Sequence, residues 1–165
     1  MLWVAVAAGL AAALWLLGAA VFFCKFSIRR YRKERADEQY EEADSIWNPF
    51  APRMKEAQAY IRTHTREKVK LTSFDGLELA ALYLPVERPR GTVIAFHGYR
   101  SLATIDFALE VEFLHRLGYD VLLPYQRPHG ESQGKYITYG VKARFDCQSW
   151  ARYADRRRGD RPQFL

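Results

Sequence analysis

The chain of 165 residues has only two cysteines, two methionines and four histidines, and these scarcities remove several classes of protein. Cys24 and Cys147 are isolated from one another, so they build neither a disulfide framework nor the CxxC spacing of a zinc site. His64, His97, His115 and His129 show no HExxH or comparable ligand spacing, so no metal and no cofactor is expected. Internal repeats are lacking, and the only biased tract is an Ala/Leu-rich beginning. The net charge is +6, yet no nucleic-acid-binding motif or stacking platform accompanies it, so no nucleic-acid partner is expected. Charge is also missing from one long stretch: between Leu2 and Phe23 there is no charged side chain.

That stretch is the first positive feature. Apolar residues are 49% of the chain, while mean hydropathy is only −0.30, so the apolar content is concentrated. A run of roughly 22 residues is enough to cross a bilayer core as a helix. A buried core helix would be shorter and would show a polar face. A secretory signal peptide would carry Lys or Arg before its apolar part, and nothing basic precedes Leu2. Gly18, Ala19 and Ala20 would suit a signal peptidase, which leaves cleavage as the alternative to a retained transmembrane anchor over 1–24. Lys25, Arg29, Arg30, Arg32, Lys33 and Arg35 follow directly. Positive charge resists translocation, so the expectation is a single-pass protein of the cell membrane with its C-terminal side in the cytoplasm. The bilayer is thus the first expected partner, and the same residues suit anionic headgroups. Cys24 has the juxtamembrane position of a palmitoylation site, although a small apolar residue ending the span is the plainer account.

Residues 25–48 are dense in charge of both signs and read as a solvated stalk. Asn48-Pro49 and Ala51-Pro52 end it, because a residue before proline avoids the helical region. Residues 49–165 form the remaining, partial domain. A helix is predicted from about Arg53 to His64, burying Met54, Ala57 or Ala59, and Ile61. Val69, Leu71 and Ser73 then alternate with polar residues, Asp75-Gly76 supplies a turn, and Leu77 to Leu84 returns, which predicts a hairpin. Thr92 to Phe96 is apolar on both faces and reads as a central parallel strand. Ile105, Leu109, Phe113 and Leu117 recur every four residues as the inner side of a helix closed by Gly118. Val121 to Leu123 is another buried strand, and Ala143, Cys147, Trp150 and Ala154 share one face of a last helix. The fold class is α/β: an apolar helix, an antiparallel hairpin, then parallel strands with crossover helices.

Two strand-to-helix junctions carry the candidate chemistry. Phe96-His97-Gly98-Tyr99-Arg100 follows the first inner strand, and Tyr125-Gln126-Arg127-Pro128-His129-Gly130-Glu131-Ser132 follows the next. Sites in open α/β sheets form outside the carboxyl ends of strands. Gly98 allows a sharp turn that can aim the next amide, that of Tyr99, at a developing oxyanion. Here the sequence resembles the α/β-hydrolase family, in a bacterial-type membrane-associated branch. A strand ending in His-Gly-aromatic is followed there by a helix and a strand ending in Gln-Arg-x-His-Gly-x-Ser. The Ser73-to-Leu77 turn and the stretch from Gly134 to Asp146 are similar to the same branch, and the resemblance spans about Asn48 to Leu165.

The resemblance implies a serine hydrolase of ester, thioester, amide or peptide bonds, acting on a small-molecule or lipid-like acyl substrate. It assigns Tyr99 an oxyanion-hole role through its backbone N–H, and site-shaping roles to His97, Gly98, Arg127, His129, Gly130 and Ser132. One departure is large: no GxSxG nucleophile elbow occurs in the 165 residues. Pro162 to Leu165 looks like the opening of the strand that leads to it, so nucleophile, acid and base are expected in sequence beyond, and this chain alone is expected to be inactive and a poor folder. Ser101 and Ser132 are better read as cap or loop hydroxyls than as nucleophiles. Arg100 and Arg127 are read as surface ion-pairing residues rather than substrate ligands, and Tyr125, Tyr136 and Tyr139 as packing residues. The alternatives are a non-catalytic membrane-anchored protein that binds a partner, and a basic juxtamembrane lipid-binding module.

Overall fold

A computed structural model describes residues 2–29 and 48–158. Most of the expected stalk, and Pro162 to Leu165, lie outside the described residues. Helix α1 (Leu2–Phe22) is followed by a π-helical turn over Phe23–Ile28. None of α1 is buried, and it is the one helix among the described residues long and apolar enough to span a membrane or to serve as a signal sequence.

Helix α2 (Ala51–His64) carries Pro52 in its first turn, where a missing N–H costs nothing. It ends where the Thr65 hydroxyl and N–H both donate to the Ile61 carbonyl. Strands β1 (Glu67–Thr72) and β2 (Glu78–Leu84) form the expected hairpin. Gly76 takes a φ of +82° at its turn, and Ser73 accepts from the Leu77 N–H through its hydroxyl. Strand β3 (Gly91–Ile94), the short helix α3 (Ala103–Asp106), α4 (Ala108–Arg116) and β4 (Tyr119–Pro124) follow, and α5 (Ala143–Arg158) closes the order.

The sheet order is β1-β2-β4-β3, with β3 parallel to β4 and the other neighbours antiparallel. The α/β fold class therefore holds, but β3 is not central: among the described residues it is the edge, and Thr92 to Ile94 are only half-buried. The centre is β4, whose alternation feeds two cores. Val121 and Leu123 meet Leu82, Leu84, Met54, Ile61 and Val111 on the α2–α4 side. Leu122 meets Leu79, Ala81 and Trp150 on the α5 side. Gln58 joins Met54 and Ile61 on the buried face of α2.

The inner face of the α3–α4 segment differs from the four-residue repeat in the sequence. Phe107, at φ −117° and ψ 18°, separates α3 from α4 and resets the phase. Of the repeat, Ile105 is buried as expected; beyond it Ala108 and Val111 are fully buried, whereas Leu109, Phe113 and Leu117 face outward, Phe113 at 54% exposure.

This inversion generates a stability test. Val111→Ala should cost about 2 kcal/mol, since it opens a cavity in a closed core. Phe113→Ala, although it deletes more atoms, should cost no more than about 1 kcal/mol. Urea unfolding of the detergent-solubilised chain, followed by tryptophan fluorescence, ranks the two; a larger loss at Phe113 would reverse the assignment of faces.

Candidate functional site

Both candidate junctions lie at the carboxyl tips of β3 and β4, and the fold locks them together. Beyond β3, the Gly98 N–H donates to Asp106 Oδ2 (2.7 Å), and the Ser101 hydroxyl donates to Asp106 Oδ1 (2.5 Å). The carboxylate at the end of α3 thus holds the bend closed, with Arg100 in the left-handed region at φ 53°. His97 is buried at the root of this bend. Its Nδ1 meets the Gly98 carbonyl (2.9 Å), and its Nε2 accepts the Gln126 N–H (3.1 Å) from the second junction. Those roles require the neutral Nδ1–H tautomer. The Gln126 side-chain amide donates back to the His97 carbonyl, and the His97 and His129 rings meet edge to face at 4.7 Å. Desolvation by burial pushes the His97 pKa down, against the opposing effects of the Gly98 carbonyl and Asp106.

The second junction is held from below by Arg127. Its Nε and Nη2 donate to the two oxygens of Asp146 on α5, both at 2.5 Å. Its Nη1 and Nη2 donate to the two oxygens of Asp75 in the β1–β2 turn, at 2.8 and 3.1 Å. The Arg127 side chain is 2% exposed, Asp146 6% and Asp75 22%, so Arg127 is a buried ion-pair centre, not the surface residue its charge suggests. A planar guanidinium can hold two carboxylates bidentately, and this geometry uses both edges of the fork. Lys142 adds a contact to Asp75 at 3.0 Å.

Ser132 is fully buried, and its hydroxyl donates to the Tyr125 carbonyl (2.5 Å) while accepting the Ala80 N–H (2.9 Å). It stitches the loop to β2, as the loop-hydroxyl assignment expects. Gly130, at φ 49°, lies against Tyr125, where an added Cβ would come within 2.3 Å of the ring. Burial pushes the Tyr125 hydroxyl up to about 12.

Tyr99 is half-exposed at the rim and stacks on Tyr139 at 5.7 Å, with the Arg100 guanidinium over its ring. Tyr125 packs against the core, but Tyr136 and Tyr139 are exposed at 51% and 58%, so they are rim residues rather than packing residues. A cleft of about 570 Å³ opens on the same crest, between Asp75 and Leu77 on one side and Gln133, Tyr136, Thr138 and Lys142 on the other.

Chemically, the crest presents a rigid double bend. The hydroxyls of Ser101 and Ser132 and both nitrogens of His97 are engaged in holding it, so these groups do not form a nucleophile–base pair. Among the described residues there is no cluster of three His, Cys, Asp or Glu suited to a metal. Asp75, Gln126 and Asp146 enter the sequence motifs only as a turn residue, a junction residue and the end of a similar stretch, and Asp106 does not enter them; no spacing links any of the four to the partner it holds. The one available signal was Arg127 itself, a cation in a loop between two buried elements.

Two measurements follow. Replacing Arg127 with Met should cost about 3–5 kcal/mol by stranding Asp146, and Arg127→Lys should restore little, because an ammonium cannot span both carboxylates. Acid should act in two stages. A histidine lowered by burial contributes stability that is lost as pH falls through its unfolded value of about 6.5. The Arg127 hydrogen bonds hold the Asp75 carboxyl well below the usual range, so its contribution is lost below about pH 4. Urea midpoints from neutral pH to pH 3 test both, and Asp75→Asn should flatten the second stage; a midpoint unchanged across that range would refute the scheme.

Compared with known proteins, the chain matches no family model and no curated protein. Among solved structures it is similar over 53% of its length to the Pyrococcus furiosus esterase Pf2001, at 32% identity and a TM-score of 0.48, covering 34% of that chain. It is similar over 54% of its length to the α/β hydrolase GrgF from Penicillium sp. sh18, at 20% identity and a TM-score of 0.47, covering 32% of that chain. The chain thus spans about a third of the length of these solved structures.

Proposed function

We propose that these residues form the oxyanion-side half of a membrane-anchored α/β-hydrolase, a serine hydrolase of ester, thioester, amide or peptide bonds. The observation that carries the proposal is the interlock of the two strand-tip bends through His97 and Gln126. It holds the peptide after Gly98 at the sheet crest, where in acyl transfer the carbonyl oxygen of the substrate becomes an oxyanion. The Tyr99 N–H is the assigned donor. One such donor is worth about 3 kcal/mol when it is fixed before the reaction begins. Gly98 serves the bend itself, since its own N–H is held by Asp106.

Among the described residues the outer edge of β3 has no partner strand, and a further parallel strand pairing there would bring an elbow serine beside the bend. No GxSxG elbow occurs in the 165 residues, so none of them is assigned as nucleophile, acid or base. Helix α1 is the anchor, with the domain on the cytoplasmic side.

Reading the gene past the Leu165 codon decides first. An in-frame Gly-x-Ser-x-Gly supports the hydrolase, whereas a stop with no elbow in any frame favours a non-catalytic anchored protein. In a product carrying the elbow, a fluorophosphonate probe should label it, and changing the elbow serine to alanine should abolish labelling. Tyr99→Pro removes the amide hydrogen and should lower kcat by about 10²–10³, with Tyr99→Ala, which keeps it, far less affected. Equal losses in both variants would remove Tyr99 from the oxyanion hole.

A further inference from the structure

The crest that carries the candidate site is also where the apolar helix meets the rest of the protein. The Ile137 N–H donates to the Ile28 carbonyl at 2.6 Å, and Arg29 bridges Tyr136 as an antiparallel neighbour. Lys25 is the first charge after the apolar run, and Ile28 lies three residues beyond it. At roughly 1.5 Å per helical residue, that is about 5 Å. The polar layer on each side of a bilayer is roughly 5–8 Å thick, taking a core of about 30 Å within a total of about 40–45 Å. If α1 spans, the backbone around Ile137 therefore sits within the headgroup layer, and the loop cannot be lifted off it without breaking this pairing.

The surroundings suit that position. Phe74, Tyr99, Tyr136, Tyr139 and Val141 are all more than half exposed, and all lie on the β1–β2 turn or on the loops after β3 and β4, at one end of the sheet. Tyrosine is favoured at membrane interfaces because its ring prefers the apolar boundary while its hydroxyl stays hydrated. Lys25, Arg29 and Lys135 are exposed beside the paired segments, a charge complement for anionic headgroups. At the other end of the sheet, the β2–β3 connection shows instead the exposed charges Glu87, Arg88 and Arg90.

We infer that the crest is a membrane-facing surface: the aromatic rim rests in the headgroup layer of the bilayer that α1 crosses, and the sheet stands on its carboxyl end. This inference rests on the anchoring proposed above and deepens it. The bend at Tyr99 and the cleft beside Tyr136 then open toward the lipid surface, which selects acyl substrates that partition into the interface over freely soluble ones.

The test uses the whole chain in vesicles of phosphatidylcholine and phosphatidylglycerol, with Cys24→Ala and Cys147→Ala as background. A single environment-sensitive fluorophore is attached at Val141→Cys, at Tyr136→Cys or at Arg88→Cys. Flotation of the vesicles reports anchoring, and lipids with a nitroxide at the headgroup report proximity. The expected result is flotation of all three, with loss of emission at positions 141 and 136 and none at 88. Flotation with equal quenching at both ends, or with crest probes shielded but unquenched as in a dimer or a protein-covered crest, overturns the inference while anchoring stands. Failure to float overturns both. Position 141 is 64% exposed, so its label leaves the core intact and the result does not depend on a disrupted fold.

Discussion

The guanidinium of Arg127, gripped by Asp75 and Asp146, is the constraint on which the crest depends. Three segments far apart in sequence converge on one planar cation: the β1–β2 turn, the loop after β4, and the first turn of α5. Charges so deeply buried are costly unless every partner is in place, so the arrangement forms whole or not at all. Its contribution is to position more than to stabilise, since well-packed apolar side chains would often serve stability equally well. What the cation secures is the path of residues 125–134, and with it the Gln126 amides that hold His97.

From that anchor point the order of dependence runs toward the candidate chemistry. Arg127 sets the second loop, the second loop fixes His97, and His97 with Asp106 fixes the bend at Gly98. The polar groups that hold the bend pair with one another, which keeps it rigid without help from a substrate. A rigid donor needs no reorganisation as charge develops, and that is the property an oxyanion hole requires. The same rigidity explains why the nearby serines make poor nucleophiles: their hydroxyls are already part of the scaffold.

The pairing of Ile28 with Ile137 joins this scaffold to the apolar helix. A single backbone hydrogen bond is worth only about 1 kcal/mol; under the proposed anchoring it would act together with a span that confines the domain to two dimensions, and the exposed aromatics of the crest would then face the same surface as the bends at the strand tips.

Much of this was legible in the sequence, and the limits follow from range. The apolar run, the hairpin about Asp75-Gly76, the β4 strand and the face of α5 that carries Trp150 are local patterns, set by hydrophobic period and turn chemistry within a dozen residues. Such patterns failed where packing decided between equivalent faces: Leu109, Phe113 and Leu117 repeat as well as Ala108 and Val111 do, but Ala108 and Val111 are the ones that join the core with Met54 and Ile61 of α2. They also left open the place of β3, the edge among the described residues, because an apolar run suits a centre or an edge equally. The partners of Arg127, His97 and Gly98 lie up to 52 residues away, and no spacing rule links them. The sequence by itself determined which segments are helix, strand and turn, because those preferences act between neighbours along the chain. Only the tertiary structure decided which side chains meet, because burial of a charge or an amide is resolved by whichever partner the folded chain brings within hydrogen-bonding distance.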